Sequence, residues 1–318
     1  MIKMQKLFAV ACAALLSTSM AAPAQDKLKL AIGQRGNWEQ SVPELGQKQG
    51  IFKKHGLELE LLYTQGGGET QQAVISGSVD IGLGVGLGGV MGAFSKGAPV
   101  RIIGNAMQGG FDVFWYVRAD SPIKTMKDAD GKTIAFSTNG SSTNIMALGL
   151  AKTFGVNAKA TATGGAPATF TQVMSGQIDI GWSSPPFAVD AIEQGRIRAV
   201  ARGSDVPNFK TQTLRVQIAN LGALQAKKEV FARFMRAYRE SLDWMYTGDE
   251  AVKMYANWLD IPLNVALKTR EEFFPKANQD PDRIADIDVA VTDAVAYKFL
   301  SAPLTKQQLD ELIVLQPK

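Results

Sequence analysis

Residues 75–82 read ISGSVDIG and residues 174–181 read MSGQIDIG. The two phrases stand 99 positions apart (174 − 75) and close two similar runs of sequence. In the first run, KLKLAIG (27–33) alternates like a short strand. Trp38–Lys54 has helical spacing and stops at His55-Gly56, and LELELLY (57–63) alternates again. A glycine loop and short helix (66–77) then lead into the strand VDIGL. In the second run, KTIAFS (132–137) reads as a strand, Asn144–Phe154 as a helix ended by Gly155, and Ala158–Ala162 as a strand. Another glycine loop and helix (164–176) lead into IDIGW. The order strand, helix, strand, helix, strand thus occurs twice, and parallel neighbours joined by helices are its natural solution. The repeat predicts an α/β chain of two similar lobes. Asp80 and Asp179 fall at the amino ends of their strands and are expected to be structural. The loops after each repeat, where the copies diverge, are expected to carry specificity.

Two connections between the lobes make a hinge. Gln108-Gly109-Gly110 breaks the strands Arg101–Asn105 and Val113–Arg118, and a polar loop separates Ile197–Ala201 from Leu214–Ile218. The expected division is a signal peptide at 1–24, lobe I at 25–108 plus 212–318, and lobe II at 109–211. After Ala219 the pattern is helical. Val230, Phe231, Phe234, Met235, Tyr238, Leu242 and Met245 form a stripe that reads as core.

The 318 residues suffice for two modest domains, and 46% apolar with 20% charged residues is ordinary for a soluble protein. The formal charge of +4 falls to +2 without Lys3 and Lys6 (34 − 2 − 30), too mild for a nucleic-acid partner. Lys3 and Lys6, the apolar run LFAVACAALL (7–16) and Ala22-Pro23-Ala24 form a secretory signal, with cleavage expected after Ala24. Cys12, the single cysteine, leaves with it. The mature chain then has no thiol for a disulfide, a thiolate metal site or a nucleophile. No other apolar run approaches the ~20 residues of a membrane helix.

Little catalytic chemistry is available. His55, the single histidine, lies in KKHG at a helix end, away from any nucleophile–acid pattern. Histidine metal sites fail on count, and no calcium-loop pattern is present. Gly84-Val85-Gly86-Leu87-Gly88-Gly89 satisfies G-x-G-x-x-G. The short following helix, the absence of an acid at the next strand end and the export signal all weigh against a dinucleotide site. At a strand's carboxyl end such glycines let backbone N–H groups approach a ligand beside a helix start.

The same arrangement recurs at other strand ends, where open α/β sheets bind ligands. The candidate binding residues are Arg35, Asn37 and Trp38 before the first helix, Gly67 in the first glycine loop, and Gly84, Val85 and Gly86 after the first repeat. Gln108 lies at the first crossing, and Asn139, Ser141, Ser142 and Thr143 precede the second lobe's helix. Gly165 opens the second glycine loop, and Trp182, Ser183 and Ser184 follow the second repeat. No catalytic residue, metal ligand or cofactor is expected.

GIFKKHGLELEL (50–61), GSVDIG (77–82), DSPIKTMKDADGKTIAF (120–136), GSSTN (140–144) and the second SG-x-x-D resemble one family. It is that of the periplasmic solute-binding proteins of ABC importers, in the alkanesulfonate, taurine and NMT1/THI5-like group. The likeness runs from about Leu28 to Arg202. It implies a two-lobe type II periplasmic-binding fold with extra C-terminal helices, closure on a small-molecule ligand, and delivery to an inner-membrane ABC permease by a periplasmic monomer. Sulfonate binders look to have Thr-Gly-Asp where this chain has Gly84-Val85-Gly86, and Trp-Asp-Pro where it has Ser184-Pro185-Pro186. Two pocket acids are therefore missing, which disfavours taurine. Arg35, the helix starts, Trp38 and Trp182 together fit a small organic anion, a sulfonate or a carboxylate. The alternatives are a THI5-like pyrimidine-precursor binder or enzyme, and a sensor ectodomain.

Overall fold

Residues 25–318 are described by the computed structural model, so the expected signal peptide, with Cys12, lies outside the described residues. The strands are β1 Asp26–Ile32, β2 Leu57–Tyr63, β3 Ile81–Gly86, β4 Val100–Gln108, β5 Phe114–Arg118, β6 Thr133–Phe136, β7 Lys159–Ala162, β8 Gly181–Ser183, β9 Ile197–Arg202 and β10 Thr213–Asn220. In the first lobe they order as β2-β1-β3-β10-β4, with β1 parallel to β2 and β3, and β10 antiparallel to both its neighbours. In the second lobe β5 lies antiparallel between β8 and β9, while β6 pairs in parallel with β7. The Ala135 N–H donates to the Ile180 carbonyl at 2.8 Å and the Ile180 N–H to the Thr133 carbonyl at 3.0 Å, joining β6 to β8. The second lobe therefore reads β7-β6-β8-β5-β9, the order of the first with each strand replaced by its counterpart.

The repeat predicts parallel neighbours, yet each sheet carries one antiparallel strand. The reason is the crossing. The chain leaves β4 through residues 109–113 to form β5 and leaves β9 through residues 203–212 to form β10. Each incoming strand starts on the cleft side, at the carboxyl ends of the parallel strands, and must run back through the sheet.

The repeated phrase does the same work twice. Gly77 and Gly176 end their helices in the left-handed region, at φ +74° and +78°. One Asp80 carboxylate oxygen accepts the Lys29 N–H at 2.9 Å, and one Asp179 oxygen accepts the Thr133 N–H at 2.9 Å. Each aspartate thus ties the start of its strand to the lobe's first strand. The register extends upstream: Thr64 and Thr70 hydroxyls meet at 2.8 Å, and Thr163 and Thr169, each 99 positions on (163 − 64, 169 − 70), meet at 2.7 Å.

Helical spacing over Trp38–Lys54 resolves into two helices, Val42–Lys48 and Ile51–Lys54, because Gly50 adopts φ +83° between them. The long helix Lys228–Met245 buries Phe231, Phe234, Met235, Tyr238, Leu242 and Met245 against Leu30, Trp38 and Phe52. Its apolar stripe is core, as read from the spacing. The second lobe has its own core, built on Trp115, Phe136, Met146 and Phe209. The chain end covers the β4 edge, where the Val314 N–H donates to the Ile102 carbonyl at 2.8 Å.

Candidate functional site

A cavity of about 30 Å³ lies between the lobes, beyond the carboxyl ends of β1, β3, β6 and β8. The first lobe lines it with Gly33, Gln34, Asn37, Gln40, Gly66, Gly67, Gly84 and Arg215. The crossing and the second lobe supply Val113, Ser137, Ser141, Ser142, Thr143, Trp182 and Ser184. Two helices begin at this lining, Gly67–Ile75 from one lobe and Ser142–Phe154 from the other. The first-turn amides of a helix have no intrahelical acceptor, and its start carries partial positive charge. The Ser141 hydroxyl accepts the Asn144 N–H at 3.2 Å as a cap, and the Thr143 hydroxyl bonds to those of Ser137 and Ser141, each at 3.0 Å.

Behind this wall sits a buried ion cluster. An Arg215 amino group donates to Asp112 at 2.8 Å, and Arg215 Nε lies 2.9 Å from Glu39 Oε1, poorly aligned for a hydrogen bond. The three residues are 0–3% exposed. Burial works against the Arg215 charge, but the two carboxylates outweigh it and hold the guanidinium above its ordinary range. Burial raises Glu39 above the usual carboxyl range; Arg215 opposes this and Asp112 adds to it. Polar groups extend the cluster to the cavity. The Ser184 hydroxyl donates to Asp112 at 3.0 Å, Asn37 Nδ2 reaches Ser184 Oγ at 3.5 Å, and Gln40 Nε2 donates to Glu39 at 3.1 Å. Gln34 Oε1, Asn37 Oδ1 and Trp182 Nε1 are buried atoms of lining residues and have no hydrogen-bond partner.

The lobes meet tightly around the cavity. The Gly68 N–H donates to Thr138 across the seam at 2.9 Å. A Cβ on Gly86 would stand 2.5 Å from the Ser142 nitrogen and 2.7 Å from the Gly140 carbonyl oxygen. The G-x-G-x-x-G stretch is therefore an interlobe contact: side chains at Gly86 would hold the lobes apart. Among the described residues no group of three or more His, Cys, Asp or Glu forms a metal cage, and no helix is long and apolar enough to cross a membrane.

Residues 44–251, more than half of the chain, match the family model described as NMT1/THI5 like. The chain belongs to the NMT1/THI5-like family. No curated protein matches it in sequence. Solved structures share its fold. A conserved Candida albicans gene product with the generic periplasmic binding protein fold aligns at TM-score 0.72 and 17% identity, over 92% of this chain and 98% of that one. The alkanesulfonate-binding protein SsuA from Xanthomonas axonopodis pv. citri, bound to MOPS, aligns at 0.71 and 18%, over 93% and 99%. The nitrate-binding protein NrtA from Synechocystis PCC 6803 aligns at 0.68 and 14%, over 92% and 87%. The periplasmic-binding fold that the resemblance implies is thus the fold of this NMT1/THI5-like chain.

Of the candidate residues, Asn37, Gly67, Gly84, Ser141, Ser142, Thr143, Trp182 and Ser184 come together around the cavity. Others do not. Arg35, expected as the pocket cation, is exposed and lies over the Trp258 and Tyr63 rings, 4.8 and 6.0 Å from their centroids. Trp38 is core: its indole N–H donates to the Tyr246 hydroxyl at 2.9 Å and its ring packs edge-on to Tyr255 at 4.9 Å. Val85 is buried in the sheet core, and Gly86 serves the seam. Gln108 pairs with Thr213 at the end of β4. Asn139 borders a separate outer groove, and the Gly165 N–H donates to Gln65 at 3.4 Å. The Ser183 hydroxyl turns to the Phe187 carbonyl at 3.1 Å.

Sequence reasoning missed Gln34, Gln40, Ser137 and Arg215. Gln34, Gln40 and Ser137 lie in the loops that supply Arg35, Asn37 and Trp38 and Asn139, Ser141, Ser142 and Thr143, where one more glutamine or serine draws no notice. Arg215 stands in an ordinary alternating strand, TLRVQIAN, and nothing local marks it. In a larger hollow of about 810 Å³ on the first lobe's flank, His55, Arg239, Glu240 and Asp282 already have partners among themselves. His55 Nε2 lies 2.8 Å from Glu240, and Arg239 donates to Asp282 at 2.7 Å.

Proposed function

We propose that this chain is the periplasmic solute-binding component of an ABC uptake system, closing as a monomer around a small organic solute with a sulfonate or carboxylate group. The observation that carries this reading is the cavity whose walls come from both lobes and whose lining includes unpartnered buried polar atoms from each. Two helix starts and a cluster of hydroxyls favour an oxyanion at one end of the solute. SsuA, an alkanesulfonate binder, and NrtA, a nitrate binder, support the class by fold likeness. At about 30 Å³ the cavity has room for roughly one water, so the lobes must part to admit a solute. The hinge we assign to residues 109–113 and 203–212, with lobe I at 25–108 plus 212–318 and lobe II at 109–211. The solute would pass to an inner-membrane permease.

A binder rather than an enzyme is favoured by the chemistry of the lining. Ser184 donates its proton to Asp112, with no histidine beside it, and His55 lies on the outer flank. A THI5-like pyrimidine binder is the second reading, because Arg35 is absent from the lining while the Trp182 ring is part of it. Thermal-shift measurements on the mature chain with sulfonates, aromatic and aliphatic carboxylates and pyrimidines test both. A true ligand at a hundred times its Kd stabilises by about 2.7 kcal/mol. If no compound raises the melting temperature, the binding reading fails.

A further inference from the structure

The lining fixes the hydrogen-bonding character of one wall. Asp112 is fully buried and paired with Arg215, so it is an acceptor, and the single Ser184 hydroxyl proton is given to it. Ser184 can then only accept from Asn37, which therefore turns its amide NH₂ to Ser184 and keeps its Oδ1 as a free acceptor on a residue that lines the cavity. Asn37 is 4% exposed and its Oδ1 has no partner in the protein. Donating through Ser184 toward an anion polarises the amide and makes Oδ1 a better acceptor. On the other lobe, Trp182 is 3% exposed, and its Nε1, which can only donate, is also unpartnered.

Charge points the same way. Arg215 is the cationic side chain of the lining, and two buried carboxylates already face it. A plain anion would meet helix starts but no uncompensated side-chain cation. A donor group, charged or neutral, would meet an unsatisfied acceptor backed by the acidic side of the cluster. Glu39 and Asp112 thus stand behind the lining even though the strand-end acids of sulfonate binders are missing from the sequence.

We infer that the solute carries an N–H donor group that binds Asn37 Oδ1 and an acceptor that takes the Trp182 Nε1 proton, so that it is an amino-substituted small acid or heterocycle rather than a plain anion. This rests on the interlobe cavity being the solute site. Buried polar groups left unpaired penalise an analogue that lacks their partner far more than a missing methylene would.

The test compares matched pairs by calorimetry on the mature protein: 2-aminoethanesulfonate with ethanesulfonate, 4-aminobenzoate with benzoate, and 4-aminopyrimidine with pyrimidine. The first two pairs and the third separate the acid from the heterocycle. The amino member of at least one pair is expected to bind about tenfold tighter or more, and Asn37→Leu to reduce that preference to less than about threefold. The wild-type comparison stands even if Asn37→Leu does not fold. Plain members binding as tightly as their amino partners, or a preference surviving in Asn37→Leu, overturns the inference and leaves the binding reading intact. If no pair binds, mass spectrometry of solute released from the denatured protein decides. A released solute with an N–H group supports the inference, one without it overturns the inference alone, and no released solute overturns both.

Discussion

Gly86→Ala separates closure from folding. Gly86 has φ −66° and ψ 124°, a conformation alanine adopts without strain, so the first lobe should tolerate the change. The new Cβ would meet three backbone atoms of the second lobe: the Ser142 nitrogen at 2.5 Å, the Ser141 carbonyl carbon at 2.6 Å and the Gly140 oxygen at 2.7 Å. These atoms belong to a capped helix start that cannot rotate away as a side chain would. Overpacking of this kind costs about 1–3 kcal/mol. The cost falls on the closed arrangement alone, so solute affinity should drop by about tenfold to hundredfold. The melting temperature without solute should stay close to wild type. Gly88→Ala, two positions on, is the control, because its Cβ would meet only side chains, the Ile145 Cδ1 end at 3.3 Å and the Phe299 ring at 3.6 and 3.7 Å. Calorimetry gives the affinities, and solution scattering gives the radius of gyration with and without solute. Wild-type affinity and wild-type compaction in Gly86→Ala would refute the role given to this seam.

Three further outcomes follow from the site. Trp182→Phe keeps an aromatic ring but removes the unpartnered donor; affinity should fall about tenfold with little change in folding stability, read by calorimetry and denaturant titration. Arg215→Met strands Glu39 and Asp112 in the interior and should destabilise the fold by about 3–5 kcal/mol in a urea titration. The pH dependence of stability carries the mark of Glu39. Its folded pKa is raised above the unfolded one, chiefly by burial, so the folded state holds the proton more tightly. That contribution is fully present below the ordinary glutamate range and is lost as pH rises through the raised value. Glu39→Gln should flatten this decline, and an unchanged pH profile would show that Glu39 is not its source.

The fold was legible because its two halves repeat. SG-x-[VI]-D marks a glycine helix stop and a strand-tying aspartate, both local in character, and the strand–helix alternation around them leaves few arrangements. The site was legible where it follows that local logic: Gly67, Gly84, Ser141, Ser142 and Trp182 all stand at strand ends or helix starts. It was illegible where contacts span the chain. Arg35 and Trp38 look like pocket residues until Tyr246, Tyr255 and Trp258 pack against them, and those partners lie more than two hundred positions away (246 − 38), in or just after helices with no distinctive motif. Arg215 escapes notice for the same reason: its meaning comes from Glu39 and Asp112, on other segments, and from the antiparallel insertion of β10. The repeat points to strand ends but does not show which side chains a distant helix will take out of the cleft.

Tryptophan fluorescence gives the most direct test of a solute held between the lobes. Trp182 lines the cavity, Trp38 and Trp115 are buried in the lobe cores, and Trp244 and Trp258 lie on first-lobe helices. A solute found to stabilise the protein should change the emission of the wild type saturably, and the change should vanish in Trp182→Phe at saturating solute. An equal change in Trp182→Phe would place the solute elsewhere and contradict the account.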